Sequence, residues 1–550
     1  MRVTYGNAEA MCAPGSTALE CLCAMQAEKG AVAALRCGNV LELNDKVEGD
    51  GEVAPITLRD DEGRRVYERS LRFVMLLALR RLYPAQQVRI EFSAGHGVFV
   101  RLPGLALSRE AIAAIEYEMH AIAEADLPFA SKIWQLEDAV RYFEQDGQPD
   151  KVELLRLRPY NYFKMYCLDG MWEYFYGAMT PSTGYVRVFA LAQHAPGFVL
   201  QMPDGVNHDV PAPYVDRPKH LAAFSQSTTW CEILGVNNAA DLTAMLRSGR
   251  MREFIRINEA LHDKAIGAIA DRIIRSGAQL VMVAGPSSSG KTTFARRLGV
   301  HLRVMGFHPV QISLDDYYLD RDIIPREPDG SVDLESIHTL DLPLFRQQMK
   351  QLLAGETVEL PHFNFPKQRR DPHGTILTLP AGQPMIIEGI HGLNPLLCEG
   401  IPEGAIHRVF VSALTCLNLD DHNRIRTTDV RLLRRTVRDH QFRGTQPIET
   451  LRMWPSVRRG EETWIFPWQE AADSVFNTAL HYELPFLKAC VYDLLDAIPH
   501  DDPCALSARR LLKTLHYIPD VPKSLWSEIP PTSILREFIG GSTFDETEEN

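Results

Sequence analysis

Gly285-Pro-Ser-Ser-Ser-Gly-Lys-Thr-Thr293 has the form G-x-x-x-x-G-K-[ST], and its setting narrows its meaning further. It follows the apolar run Leu280-Val-Met-Val-Ala284 and opens into a segment with Phe294, Leu298 and Leu302 four apart, which predicts strand, phosphate loop and helix in that order. Small residues let backbone N–H groups close around a phosphate. Gly285, Pro286, Ser287, Ser288, Ser289, Gly290, Lys291, Thr292 and Thr293 are therefore the expected cradle, with Lys291 reaching the terminal phosphates and Thr292 offering a hydroxyl to Mg²⁺.

Outward from the loop, Pro309-Val-Gln-Ile-Ser-Leu314 reads as a second strand and ends in Asp315-Asp-Tyr-Tyr318. A βαβ unit is expected to set this strand end beside the phosphate loop, where Asp315 would accept a proton from an attacking hydroxyl. The plainer reading, a turn-capping aspartate, fits Asp316 better than Asp315. A further apolar strand, Pro384-Met-Ile-Ile387, ends in Glu388, the usual place for a Mg²⁺ ligand. His391 lies just beyond, where a lone histidine is more often structural than catalytic. The run Arg431-Leu-Leu-Arg-Arg-Thr-Val-Arg-Asp-His-Gln-Phe-Arg-Gly444 is expected to place Arg431, Arg435 and Arg438 on one helix face and Arg443 at its end. A charge run is usually a solvated face; next to a phosphate site it reads instead as a mobile lid that steadies transferred phosphate.

The bulk composition limits the rest. At 550 residues two to four domains are expected, and a net charge of −13 argues against a sequence-independent polyanion binder. The ten cysteines lack paired metal-ligand spacing, which points to reduced thiols, and Cys21 and Cys23 do not face one another on a helix. Without an eighteen-residue apolar run or a signal-like N-terminus, no membrane contact and a cytoplasmic location are expected.

Residues 1–60 read as a small β-rich module in which Pro14-Gly-Ser-Thr17 caps the helix Ala18–Ala27 and Val40–Leu43 is a strand. Residues 61–205 read as an α+β domain: a helix from Tyr67 to Leu82 stopped by Pro84, strands at 88–92 and 98–102, and a helix from the Ser108 cap to about Ala125. Residues 206–275 read as a linker plus helices, 276–500 as the phosphate-loop domain, and 501–550 as an extension whose acidic tail, from Asp545 to Asn550, is expected to fray.

The order of the first 200 residues resembles the N-terminal part of threonyl-tRNA synthetases, a ubiquitin-like TGS module followed by the domain that removes mischarged serine. That family's His-x-x-x-His and Cys-x-x-x-His motifs fall here on Arg69-Ser-Leu-Arg-Phe73 and Phe175-Tyr-Gly-Ala-Met179, so no editing is expected. Hydrolysis of Ser-tRNA by this segment would overturn that. Trp172, Tyr174, Phe175 and Tyr176 are expected to form a packed floor, with a ligand-binding surface as the alternative.

Residues 279–490 resemble the phosphoribulokinase and uridine kinase family through Gly285–Thr293, Ser313–Tyr318, Pro361-His-Phe-Asn-Phe365, Ile387-Glu-Gly389 and Arg434–Gly444. The pairing of the two halves resembles the bacterial proteins generally called nucleoside kinases. The resemblance implies an α/β P-loop fold, a parallel sheet flanked by helices, preceded by a β-grasp-like module and a synthetase-like α+β domain. It implies ATP with Mg²⁺ as donor and a nucleoside as acceptor, uridine or cytidine first. Asp315 then resembles the catalytic base, and Arg435, Arg438 and Arg443 the lid. Tyr318 and Phe363 resemble the aromatic residues that contact the nucleoside, and Asp333 the acid that grips the ribose hydroxyls. Where the family reads the pyrimidine edge with a histidine, this chain has Pro366-Lys-Gln-Arg369, with Gln368 nearest. Two alternatives stay open: another small hydroxyl acceptor such as a sugar phosphate or pantothenate, and an ATP-switched regulatory protein whose N-terminal half grips RNA. The net charge lends RNA no support, and the sequence leaves homo-oligomerisation open.

Overall fold

The computed structural model describes residues 1–158, 160–326 and 332–544. The acidic tail from Asp545 to Asn550 lies outside them. A five-stranded sheet organises the second half, in the order Val310–Ser313, Met385–Glu388, Leu280–Ala284, Ile406–Ser412 and Ser474–Asn477, with every neighbouring pair parallel. A parallel sheet is covered on both faces, which is why Leu280–Ala284 is apolar throughout and buried at every position.

This order corrects one expectation. Val310–Ser313 does not lie beside the phosphate-loop strand; Met385–Glu388 is inserted between them, and Glu388 pairs with Val283 on one side and Ser313 on the other. Proximity of Asp315 to the loop thus comes from the 3₁₀ turn Leu314–Tyr317 at the strand end, not from strand adjacency.

The helix Met251–Ser276, ended by left-handed Gly277, buries Ile266, Ile269 and Ile273 in one core with Phe294, Leu298 and Leu302 of the phosphate-loop helix Lys291–Val304. The helices expected within residues 206–275 thus include one that shares the core of the phosphate-loop sheet. The final segment is likewise no appendage. Leu511 and Leu515 of the helix Ala505–Leu515, with Ile534, Leu535 and Phe538, are buried in that same core, and burial of each such side chain contributes about 1.5–3 kcal/mol.

At the N-terminus, the hairpin Arg2–Tyr5 and Ala8–Met11 pairs in parallel with Gly51–Glu52, and the helix Ala18–Ala24 starts at Thr17 in a reciprocal cap with Glu20. That helix ends three residues before the expected Ala27. Next comes the helix Asp61–Leu82, which begins earlier than its apolar periodicity suggested, and a four-stranded antiparallel sheet onto which the helix Arg109–Glu124, capped by Ser108, packs.

The two halves are joined through the hairpin Asn418–Asp420 and Asn423–Arg424, which leads directly into the arginine-rich helix Thr427–Arg443. Lys151 and Glu173, both fully buried, form an ion pair, and His422 lies 2.6 Å from each. Tyr174 donates to Asp420 (2.8 Å), and Glu68 pairs with Arg424 and Arg426. Among the described residues, no helix is long and apolar enough to cross a membrane.

Candidate active site

Glycine is obligatory at the mouth of the phosphate loop: a Cβ on Gly285 would stand 1.9 Å from the carbonyl oxygen of Val411. The loop turns through left-handed Ser288 and Gly290. Thr478 donates to the Ser289 carbonyl (2.6 Å) and holds the turn from the far side. The hydroxyls of Ser288 and Ser289 are buried with no hydrogen-bond partner among the described residues. Unmet donors beside free helix-terminal amides make a cradle for an anion.

Lys291, Asp315 and Glu388 converge on this cradle. Glu388 accepts from Thr292 Oγ1 (3.4 Å) and Ser313 Oγ (3.3 Å). Burial raises the Glu388 carboxyl to about 7, and Asp315 and Glu537 add to the rise while Lys291 opposes it. Burial likewise raises Asp315 against the pull of Lys291 and Arg443, and lowers the Lys291 ammonium. Carboxylates crowded against one lysine in a low dielectric are short of positive charge.

The two acids of the Asp-Asp pair have different surroundings. The carboxylate of Asp316 accepts from the Phe363 amide (3.2 Å) and so ties down the hairpin Phe363–Asn364 and Arg369–Arg370, whereas Asp315 faces the loop lysine. Arg370 donates to the carbonyls of Tyr317 and Tyr318 and pairs with Asp341, fixing the turn. Tyr318, Phe363 and Phe365 form a cluster of mutually tilted rings, with centroids 5.1–6.4 Å and planes 60–75° apart, next to Asp315 in the chain. Gln368 is the left-handed residue of the exposed hairpin turn; the structure does not bury it among those rings.

The expected Asp333 stands beside a second acid, Glu335. Asp333 is occupied structurally, accepting from Trp464 Nε1 (3.1 Å) and from the Glu335 amide (3.0 Å). Glu335 lies in the field of Arg435 and Lys291, and burial raises its carboxyl to about 7. Its side chain is admitted by Gly460, where a Cβ would come within 2.2 Å of it. Glu335 is the second acid of Val332-Asp-Leu-Glu335, two positions on. His391 is buried, and burial lowers its imidazole to about 3.

The arginine helix also sorts differently from the expected face. Arg431 is buried, ion-paired with Glu461, and donates to the Ser287 carbonyl (3.0 Å). Arg434 is buried on Glu483 and Thr478. Both build the loop's support. Arg435 reaches the Ser287 hydroxyl (2.9 Å), and Arg435, Arg438 and Arg443 gather round Asp439, with Arg443 the most exposed. The helix is anchored in the core through Val430, Leu432, Leu433 and Val437, so it is no detached lid.

In the N-terminal half, the two segments standing where synthetases carry hydrolytic motifs do meet. The rings of Phe73 and Phe175 lie 5.5 Å apart, Met179 is buried, and Arg69 is held by Glu62 and the Ala178 carbonyl. Apolar packing fills the position. Trp172 packs on Trp134 and Tyr174 is buried in an aromatic cluster, while Phe175 and Tyr176 line a cavity of 490 Å³ shared with Lys513 and Tyr517. Tyr174 both packs in that cluster and lines the cavity.

Residues 280–483 match the family described as Phosphoribulokinase / Uridine kinase. A uridine kinase of Deinococcus deserti is 28% identical over 198 residues, 36% of this chain and 86% of that protein. A threonine–tRNA ligase of Carboxydothermus hydrogenoformans is 31% identical over 165 residues, 30% of this chain, in the N-terminal half. The chain spans only 26% of that ligase's length. A chain described as a possible uridine kinase from Bacillus stearothermophilus covers 39% of this chain and 98% of its own length, at 18% identity and a TM-score of 0.28. The C-terminal half therefore carries a phosphoribulokinase/uridine kinase-type domain, and the N-terminal half a segment similar to threonyl-tRNA synthetases.

Proposed function

We propose that the domain over residues 280–483 transfers the γ-phosphate of ATP to the 5′-hydroxyl of a nucleoside, with uridine or cytidine the first acceptors to test. The observation that carries this reading is the meeting of Lys291, Asp315 and Glu388 at one phosphate cradle, with the Tyr318 and Phe363 rings alongside. Aromatic rings lining an acceptor pocket favour a flat base over a bare sugar phosphate.

The donor set suits Mg²⁺. Thr292, Glu388 and Ser313 present oxygen only, the carboxylates outnumber the cations, and Thr292 and Glu388 would hold the ion. Its chemistry would be to neutralise phosphate oxygens. Asp315 accepts the proton of the attacking hydroxyl, Lys291 and the loop amides hold the donor, and Arg435, Arg438 and Arg443 offset the charge that moves with the phosphoryl group. Glu335 grips the acceptor's hydroxyls.

ATP consumption measured with and without a panel of nucleosides tests the reading. Nucleoside-dependent turnover supports it, and stimulation by RNA alone sinks it. Arg438→Ala is expected to lower turnover at least tenfold with little change in thermal stability, since its side chain pairs only with neighbouring Asp439 among the described residues. Unchanged turnover would remove Arg438 from the site.

Glu335 and Asp333 can be separated kinetically. Glu335→Gln should raise the acceptor KM about tenfold to a hundredfold and leave the ATP KM alone, the range expected for a charged hydrogen bond. Asp333→Asn should cost about 1 kcal/mol of stability through Trp464 with a smaller change in KM. The reverse pattern would restore Asp333 as the acceptor residue.

A further inference from the structure

The last described segment, residues 533–544, lies across the first turn of the phosphate-loop helix. Helical amides in a first turn have no intrahelical acceptor. Phe294 N already bonds to the Gly290 carbonyl (3.0 Å), leaving Lys291, Thr292 and Thr293 as the free donors of this turn. One of those three is taken. Thr293 N donates to Glu537 Oε2 at 3.2 Å, and Thr293 Oγ1 donates to the same oxygen at 2.8 Å.

A carboxylate oxygen thus sits on an amide of the kind that grips nucleotide phosphates in a loop of this form. Several contacts hold it there. Arg536 donates to the carbonyls of Trp526 (2.7 Å) and Ile529 (2.8 Å), and Phe538 lies under the Arg434 guanidinium at 4.9 Å. Ile534 packs on the loop itself, its Cγ2 2.5 Å from where a Cβ on Gly290 would stand. Beyond Glu537, the short helix Arg536–Ile539 ends in Gly540 and Gly541, both at positive φ, a turn that only glycine takes without strain. Glu537 also adds a negative charge to a site already rich in carboxylates, near both Lys291 and Glu388.

We propose that Glu537 is a built-in competitor for the phosphate loop: nucleotide binding must displace its carboxylate from Thr293, and the turn that carries it loosens while Ile534, Leu535 and Phe538 stay in the core. The reasoning is one of shared donors. Thr293 N–H is a single donor, and a phosphate oxygen and the Glu537 oxygen carry like charge, so they do not occupy it together. The contact holds the empty loop in shape and lowers apparent affinity for nucleotide by the fraction of molecules in which it is closed. The inference rests on the reading of the loop as a nucleotide site.

Equilibrium binding of Mg·ATP to the full-length chain, without nucleoside, tests it in the wild type, Glu537→Gln and Glu537→Ala. Both variants are expected to bind about tenfold more tightly, equivalent to about 1.4 kcal/mol. Hydrogen exchange over 533–544 in the wild type should speed up when Mg·ATP is added, a readout that needs no variant to fold. Equal or weaker binding by folded Glu537→Gln, or unchanged or slower exchange over 533–544 in nucleotide-bound wild type, overturns the proposal. Absence of ATP binding by all three proteins sinks the kinase reading itself, which is a different failure.

Discussion

Asp315→Asn is expected to lower nucleoside-dependent ATP turnover by about 10²–10⁴-fold, the range for loss of a positioned general base. The substitution is nearly isosteric, and the 3₁₀ turn that carries it is held by other groups: Ser313 Oγ accepts the residue's amide, and Arg370 clamps the Tyr317 and Tyr318 carbonyls. ATP affinity should therefore change little. Stability should hold or rise. Burial raises the Asp315 carboxyl above its ordinary value, so folding disfavours its charge, and a neutral amide removes that cost. A coupled assay with uridine, run beside thermal melting, measures both. A fall in turnover of less than about fivefold would move the base elsewhere.

Glu173→Ala is expected to cost about 3–5 kcal/mol, the price of stranding a buried cation. Lys151 and Glu173 are both fully enclosed, and His422 is the third member of the cluster. Replacing both partners, as in Lys151→Met with Glu173→Leu, should recover most of the loss, because neither desolvated charge then remains. The sign of the pH dependence follows. Burial pushes Glu173 up, but Lys151 and His422 outweigh it and bring the carboxyl down to about 2 from its ordinary 4.5. Its contribution is fully present above 4.5 and is lost as pH falls through 2, so denaturant midpoints of wild type and Glu173→Ala should converge across that window. The loss is expected to reach the active site as well, because His422 belongs to the hairpin that delivers the chain to the arginine helix. Melting that leaves turnover intact would separate the junction from the site.

These two cases mark what can be read from a linear chain. The phosphate loop was legible because its chemistry restricts residue type: only glycine fits at 285, against the Val411 carbonyl, and the apolar run before it and helical spacing after it are local patterns. Asp315 and Glu388 were legible as acids at strand ends, although strand order was not. Which strand lies between two others depends on a crossover made far along the chain, and Met385–Glu388 is inserted by such a crossover.

The arginines show the limit most clearly. Arg431, Arg434, Arg435 and Arg438 look alike in sequence, yet the first two are buried on Glu461 and Glu483, some 30 and 49 residues away, and support the loop from behind, while the other two share Asp439 on their own helix. Glu335 and Asp333 differ by two positions, and the contact that ties Asp333 to the frame comes from Trp464, 131 residues on. Glu537 carries no motif at all. Local residue type and periodicity specified the loop, its strand and its helix, because backbone close approach and a one-sided apolar face are properties of neighbouring residues. Which charges are paired away and which face the cradle was settled only by folding, because a charge is neutralised by whatever lies within a few ångströms in space, however distant it is along the chain.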